Sequence, residues 1–165
     1  MHTTDAMVHS RLARRMLAGT AAGAAGTTAL NAVTYLDMAV RARPASGTPG
    51  QAVERLADKA SVPIPGDEER RGNRVSGLGP LLGIASGVAV GTLLGAASGT
   101  RTRYGTALTA VALTLAAMAA SDASLAALEV TDPRTWSAKD WLADAVPHAA
   151  YGLTAAVVLC RLNHP

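Results

Sequence analysis

Apolar residues gather into four long stretches, at about 16–40, 78–100, 106–128 and 143–162, with polar and charged residues between them. Each stretch is close to the roughly 20 residues that carry a helix across a bilayer. Arginines stand at the boundaries: Arg11, Arg14 and Arg15 ahead of the first, Arg41 and Arg43 after it, Arg101 and Arg103 between the second and third, Arg161 at the end of the fourth. An open sheet cannot satisfy its backbone in lipid, so the stretches are read as helices. The pattern predicts an all-α fold, an integral membrane four-helix bundle, with residues 1–165 forming one membrane domain.

The intervals carry their own signals. Residues 1–12 read as a polar, mobile tail. In the loop 41–77, Thr48-Pro49-Gly50-Gln51 has the form of an N-cap, a proline at the first helical position and a capping-box glutamine. Ala52, Val53, Leu56, Ala57 and Ala60 then share one face and Glu54, Arg55, Asp58 and Lys59 the other, which predicts a short amphipathic surface helix at about 49–60. Pro63-Ile64-Pro65-Gly66 stops it. The mixed-charge run Asp67–Arg71 reads as a solvated loop beside the membrane. Arg101-Thr102-Arg103 leaves room only for a tight hairpin between the second and third spans. Asp132-Pro133 and Ser137 with Asp140 read as caps. Trp136 and Trp141 flank the second cap as interface anchors. Pro147 predicts a kink in the last span. The basic start, the apolar stretch and Ala22-Gly23-Ala24 also allow a signal peptide, but apolar character runs on past that site to Arg41.

The second stretch places glycine at every fourth position: Gly79, Gly83, Gly87, Gly91, Gly95 and Gly99. An interior glycine costs a water-exposed helix about 1 kcal/mol relative to alanine. Between membrane helices, small residues four apart let two backbones approach closely. At 100° per residue each step of four drifts 40°, so the glycine face winds around the helix and predicts contact with two neighbours. Gly19, Gly23 and Gly26 form a matching face in the first stretch. These glycines are expected to pack spans within the chain; a second copy or another membrane protein in the groove is the alternative.

Composition narrows the function classes. Hydrophobic residues make up 49% of the chain, but alanine is the commonest of them and phenylalanine is absent. Such a core buries little area per side chain, which suits close packing in lipid better than a water-soluble fold. The net charge is +3, yet the basic residues are split among segment ends, with no basic stripe interleaved with aromatics, so nucleic acid is excluded as a partner. Cys160 is the only cysteine and reads as a small buried or lipid-facing residue. No metal-ligand spacing, nucleotide loop or nucleophile elbow is present, so no metal, no cofactor and no enzyme activity are expected. The lipid bilayer is the expected partner. A plasma (inner) membrane location with both termini cytoplasmic follows from the arginines around the first span and the Arg-Thr-Arg turn.

Few polar groups lie within the spans. Asn31 and Asp37 belong to the first; Asp37 falls on the glycine face and can pair with Arg41 four residues on. Asp122 lies near the end of the third span and His148 near the start of the fourth. An antiparallel pairing brings them to one depth, with Tyr151 close to His148. Asp122, His148 and Tyr151 therefore form a candidate intramembrane polar site. One reading is a proton-titrating site for coupled transport, because histidine changes charge near neutral pH. The other is a hydrogen-bonded clamp between two helices.

Asp140-Trp141-Leu142, the run Val146-Pro147-His148-Ala149-Ala150-Tyr151-Gly152 and the pair Asn73-Arg74 resemble uncharacterised small multi-pass membrane proteins of actinobacteria. A looser similarity, through a histidine ahead of Tyr-Gly in the final span, is to inner-membrane proteins of the YagU type. The resemblance implies four spans and brings no activity with it. The leading expectation is a structural or accessory helix-packing component; the alternative is a proton-coupled small-solute transporter or channel built on the Asp/His pair. A water-accessible cavity reaching both residues would favour the second.

Overall fold

The computed structural model describes residues 2–97 and 105–163, with side chains from Val8 onward. Among them the regular structure is helical: α1 (His2–Arg41), α2 (Thr48–Lys59), α3 (Glu68–Ala97), α4 (Gly105–Ala127) and α5 (Ala138–Asn163), plus a 3-10 turn at Pro133–Thr135. Three helices, α3, α4 and α5, are long and apolar enough to cross a bilayer, which fits a membrane protein. α1 is not among them, against the expectation of four such helices. Thr20, Thr27, Thr28, Asn31, Thr34 and Asp37 interrupt its apolar stretch, and alanine and glycine supply most of the remainder.

Three helices begin earlier than the apolar pattern alone indicates. Residues 2–12, read as a mobile tail, continue α1 without a break, because no glycine or proline before Ala18 stops propagation once the span is helical. The charged run read as a loop is the first turns of α3. The Asp67 side chain accepts from the Arg70 N–H at 2.9 Å, and Glu68 and Glu69 occupy the first turn, where the helix dipole favours anions. α5 starts at Ala138 because Ser137 and Asp140 cap it reciprocally: the Ser137 N–H donates to Asp140 Oδ2 at 2.9 Å and the Asp140 N–H to Ser137 Oγ at 3.3 Å. For α2 the cap differs from the one expected. Gly47, not Thr48, precedes the helix, and no side chain caps it.

Packing follows the small residues. α1 lies against α3 and α5, α5 against α4, and α2 and α4 against α3. The α1–α3 contact is backbone on backbone. A Cβ built on Gly91 would stand 2.5 Å from Gly23 Cα, and one on Gly95 would stand 2.6 Å from Gly19 Cα. Thr20 and Thr92 hydroxyls share a hydrogen bond of 2.8 Å across the same seam. Residue numbers rise on one helix as they fall on the other, so the pair is antiparallel. Of the other glycines on α3, Gly79 faces Pro49 and Gly50 of α2, Gly87 faces Thr27, and Gly83 faces open space; Gly99 lies outside the described residues. Gly152 of α5 faces Ala110 and Thr114 of α4, again antiparallel.

The interior is built of small side chains (Ala18, Ala22, Ala110, Ala155, Ala156) around three large ones, Leu113, Tyr151 and Leu159. Large apolar residues point outward instead: Leu17, Leu36, Leu81, Leu93, Leu115 and Leu153 are each more than half exposed. A water-soluble protein rarely shows so much outward apolar surface; helices that meet lipid do. One end of the molecule gathers the C-terminal turns of α1 and α4, the start of α3 and α5, α2 and the 3-10 turn. The other end holds the N-terminal turns of α1 and the last turn of α5.

Candidate functional site

At the α2 end a cavity of about 790 Å³ opens between α1, α4, α5 and the connection from α4 to α5. Its volume falls in the range of small-molecule pockets. The walls combine apolar side chains (Leu30, Leu125, Pro147) with Asp122 of α4, Thr131 of the connection, and Asp144 and His148 of α5. Arg41, Arg43 and Lys139 also line it.

Each of these positions has a local cause. Asp144 and His148 are four residues apart on α5 and so share a face. The His148 Nδ1 lies 3.2 Å from Asp144 Oδ1 and 2.9 Å from the Asp144 carbonyl oxygen. Both side chains are mostly buried, 12% and 17% exposed. Asp122 arrives from α4 through the antiparallel pairing set by Gly152, close enough to interact electrostatically with both. Three oxygens at the site are buried without a hydrogen-bond partner among the described residues: Asp122 Oδ1, Asp144 Oδ2 and Thr131 Oγ1. An unmet buried polar atom costs about 1–3 kcal/mol, and more when charged. Two of these three are carboxylate oxygens, which when ionised can only accept, so chemically they suit a proton, an ammonium group or a hydrated cation.

The cationic side chains are partly committed elsewhere. Arg41 Nε lies 2.7 Å from Asp37 Oδ1 and Arg43 Nε 2.6 Å from Asp37 Oδ2, so Asp37 is a clamp between the end of α1 and the chain leaving it. Beside the cavity, the 3-10 turn is fixed by Asp132. Its carboxylate accepts from the Arg134 guanidinium at 2.9 Å and from the Arg134 N–H at 3.0 Å, and these bonds hold it below the usual aspartate range. Trp136 and Trp141 meet edge to face with centroids 5.0 Å apart, and Trp136 forms part of the cavity wall.

Asp122 and His148 therefore line one cavity, while Tyr151 does not join them. Its ring is fully buried against Gly26, and its hydroxyl donates to the Gly87 carbonyl at 2.7 Å. Gly26 and Gly87 together leave the hole that the ring fills. Asn31 is half-buried on α1, with no side-chain hydrogen bond among the described residues. Sequence reasoning overlooked Asp144 and Thr131. The i,i+4 spacing of Asp144 and His148 was a signal for the first; nothing local marks the second. No three His, Cys, Asp or Glu side chains converge to hold a metal ion among the described residues.

No family model, no curated protein and no solved structure matches this chain.

Proposed function

We propose that this is a four-span protein of the plasma membrane, α1 being the fourth span of a glycine-packed bundle, and that it takes up protons or a small cationic solute through Asp122, Asp144 and His148. The observation that carries the reading is that one open cavity is lined by all three residues, and that one carboxylate oxygen of Asp122 and one of Asp144 are buried beside it without a hydrogen-bond partner. A helix clamp would be expected to pair them. The accessory-component reading needs a glycine face free for a partner, and α1 already covers Gly87, Gly91 and Gly95. Both termini are placed on the cytoplasmic side, the end marked by Arg11, Arg14, Arg15 and Arg161.

The test is NMR of the His148 imidazole in nanodiscs between about pH 5 and 8, with Asp122→Asn and Asp144→Asn alongside, and proton flux into proteoliposomes under an imposed gradient. The expected results are a titration that shifts in both variants and a flux that Asp122→Asn reduces. A His148 resonance indifferent to pH and to both substitutions, with no flux above empty vesicles, refutes the proposal.

A further inference from the structure

The end of the molecule opposite the cavity carries a different chemistry. Arg11, Arg14 and Arg15 of α1 stand there with Arg161 of α5, and the flanking segments 8–30, 85–97, 105–121 and 150–163 contain no aspartate or glutamate. Two donors at this end are buried without an acceptor among the described residues. They are Arg15 Nε and the side-chain Nδ2 of Asn163, a residue only 6% exposed.

The two donors lie at one level. Tyr151 of α5 rests on Gly26 of α1. From that contact α1 runs back eleven residues to Arg15 and α5 runs on twelve to Asn163. At about 1.5 Å per residue in antiparallel helices, these distances agree to within roughly 2 Å. The Arg15 carbonyl is also set against α3 at Gly95, so the site sits where α1, α3 and α5 meet. Both unmet groups are donors, and one carries a positive charge. The missing partner is therefore an anionic acceptor, and the planar guanidinium suits a phosphate. Leu12, on the same side of α1 as Arg15, and Leu162, next to Asn163, are 43% and 51% exposed. They give an apolar surface for acyl chains, which a free phosphate would not use.

We infer that Arg15 and Asn163, supported by Arg11, Arg14 and Arg161, bind the phosphate headgroup of an anionic phospholipid at the end of the molecule remote from the cavity. The site is separate from the proposed cation site and stands or falls independently of it. The test is thermal unfolding of the full chain in detergent with added short-chain phosphatidylglycerol, phosphatidylcholine or inorganic phosphate. Phosphatidylglycerol is expected to raise the midpoint saturably and the other two are not. Arg15→Gln should weaken the apparent affinity by about fivefold, the effect of one basic residue at an anionic surface. Asn163→Leu is close in size and removes an unpaired donor, so it should fold at least as stably without lipid yet lose most of the response. Equal responses to phosphatidylglycerol and phosphatidylcholine overturn the assignment. So does inorganic phosphate reproducing the whole effect, or a full response in the folded Asn163→Leu protein.

Discussion

Replacing two glycines of α3, eight residues apart, should move stability in opposite directions. A Cβ on Gly91 would stand 2.5 Å from Gly23 Cα, 2.6 Å from Gly19 O and 2.7 Å from Gly23 N. All three are backbone atoms of α1, so no rotamer change relieves the clash. Restoring ordinary contact requires α1 to withdraw by about 1 Å, which forfeits up to half the dispersion well of each seam contact. It also stretches the Thr20–Thr92 hydrogen bond. Overpacking of this kind costs about 1–3 kcal/mol. The upper part of that range applies because the obstacle is main chain, and alanine's helical advantage returns about 1 kcal/mol. Gly91→Ala should therefore lose about 2 kcal/mol and lower the unfolding midpoint by roughly 4–8 °C. Gly83 has nothing within 4 Å of its added Cβ, so Gly83→Ala should gain up to about 1 kcal/mol and raise the midpoint by roughly 2–4 °C. Tryptophan fluorescence during thermal unfolding in detergent reads both. If Gly83→Ala destabilises as much as Gly91→Ala, the outward face of α3 bears on another chain and the reasoning fails.

Tyr151→Phe should lower stability by about 1 kcal/mol, since it removes a hydroxyl that donates to Gly87 O while leaving the ring in its hole; an unchanged midpoint would place that hydroxyl elsewhere. The Asp132 turn should respond to acid. Its carboxyl is held below the ordinary aspartate value by the Arg134 guanidinium and N–H. Its contribution is thus complete above that ordinary value and is lost as pH falls through the lower, folded one. Trp136 fluorescence in a Trp141→Phe background should report an acid transition that Asp132→Asn abolishes. A transition that survives the substitution refutes the assignment.

Much of the fold was legible because it rests on local rules. Glycine at every fourth position through an uncharged stretch states that backbone must come close to something, whatever that something is. The pattern Ala52, Val53, Leu56, Ala57 marks an amphipathic helix by its period alone, and α2 lies on that segment. Ser137 and Asp140 announce a helix start through groups only three residues apart. At His2, Glu68 and Ala138 the helices extend further than hydropathy indicates.

The site was legible only in part. Asp122 and His148 line one cavity because adjacent antiparallel helices share a depth, a consequence of chain order. Tyr151 stands three residues from His148, yet it enters a hole made jointly by Gly26 of α1 and Gly87 of α3. Which glycines of α3 face α1, which face α2 and which face outward was likewise decided by how the helices pack. Sequence spacing fixes which residues share a face of one helix, since the helical period is a property of the backbone. The direction in which that face points is set by contacts among residues far apart in the chain, and those exist only once the helices have docked.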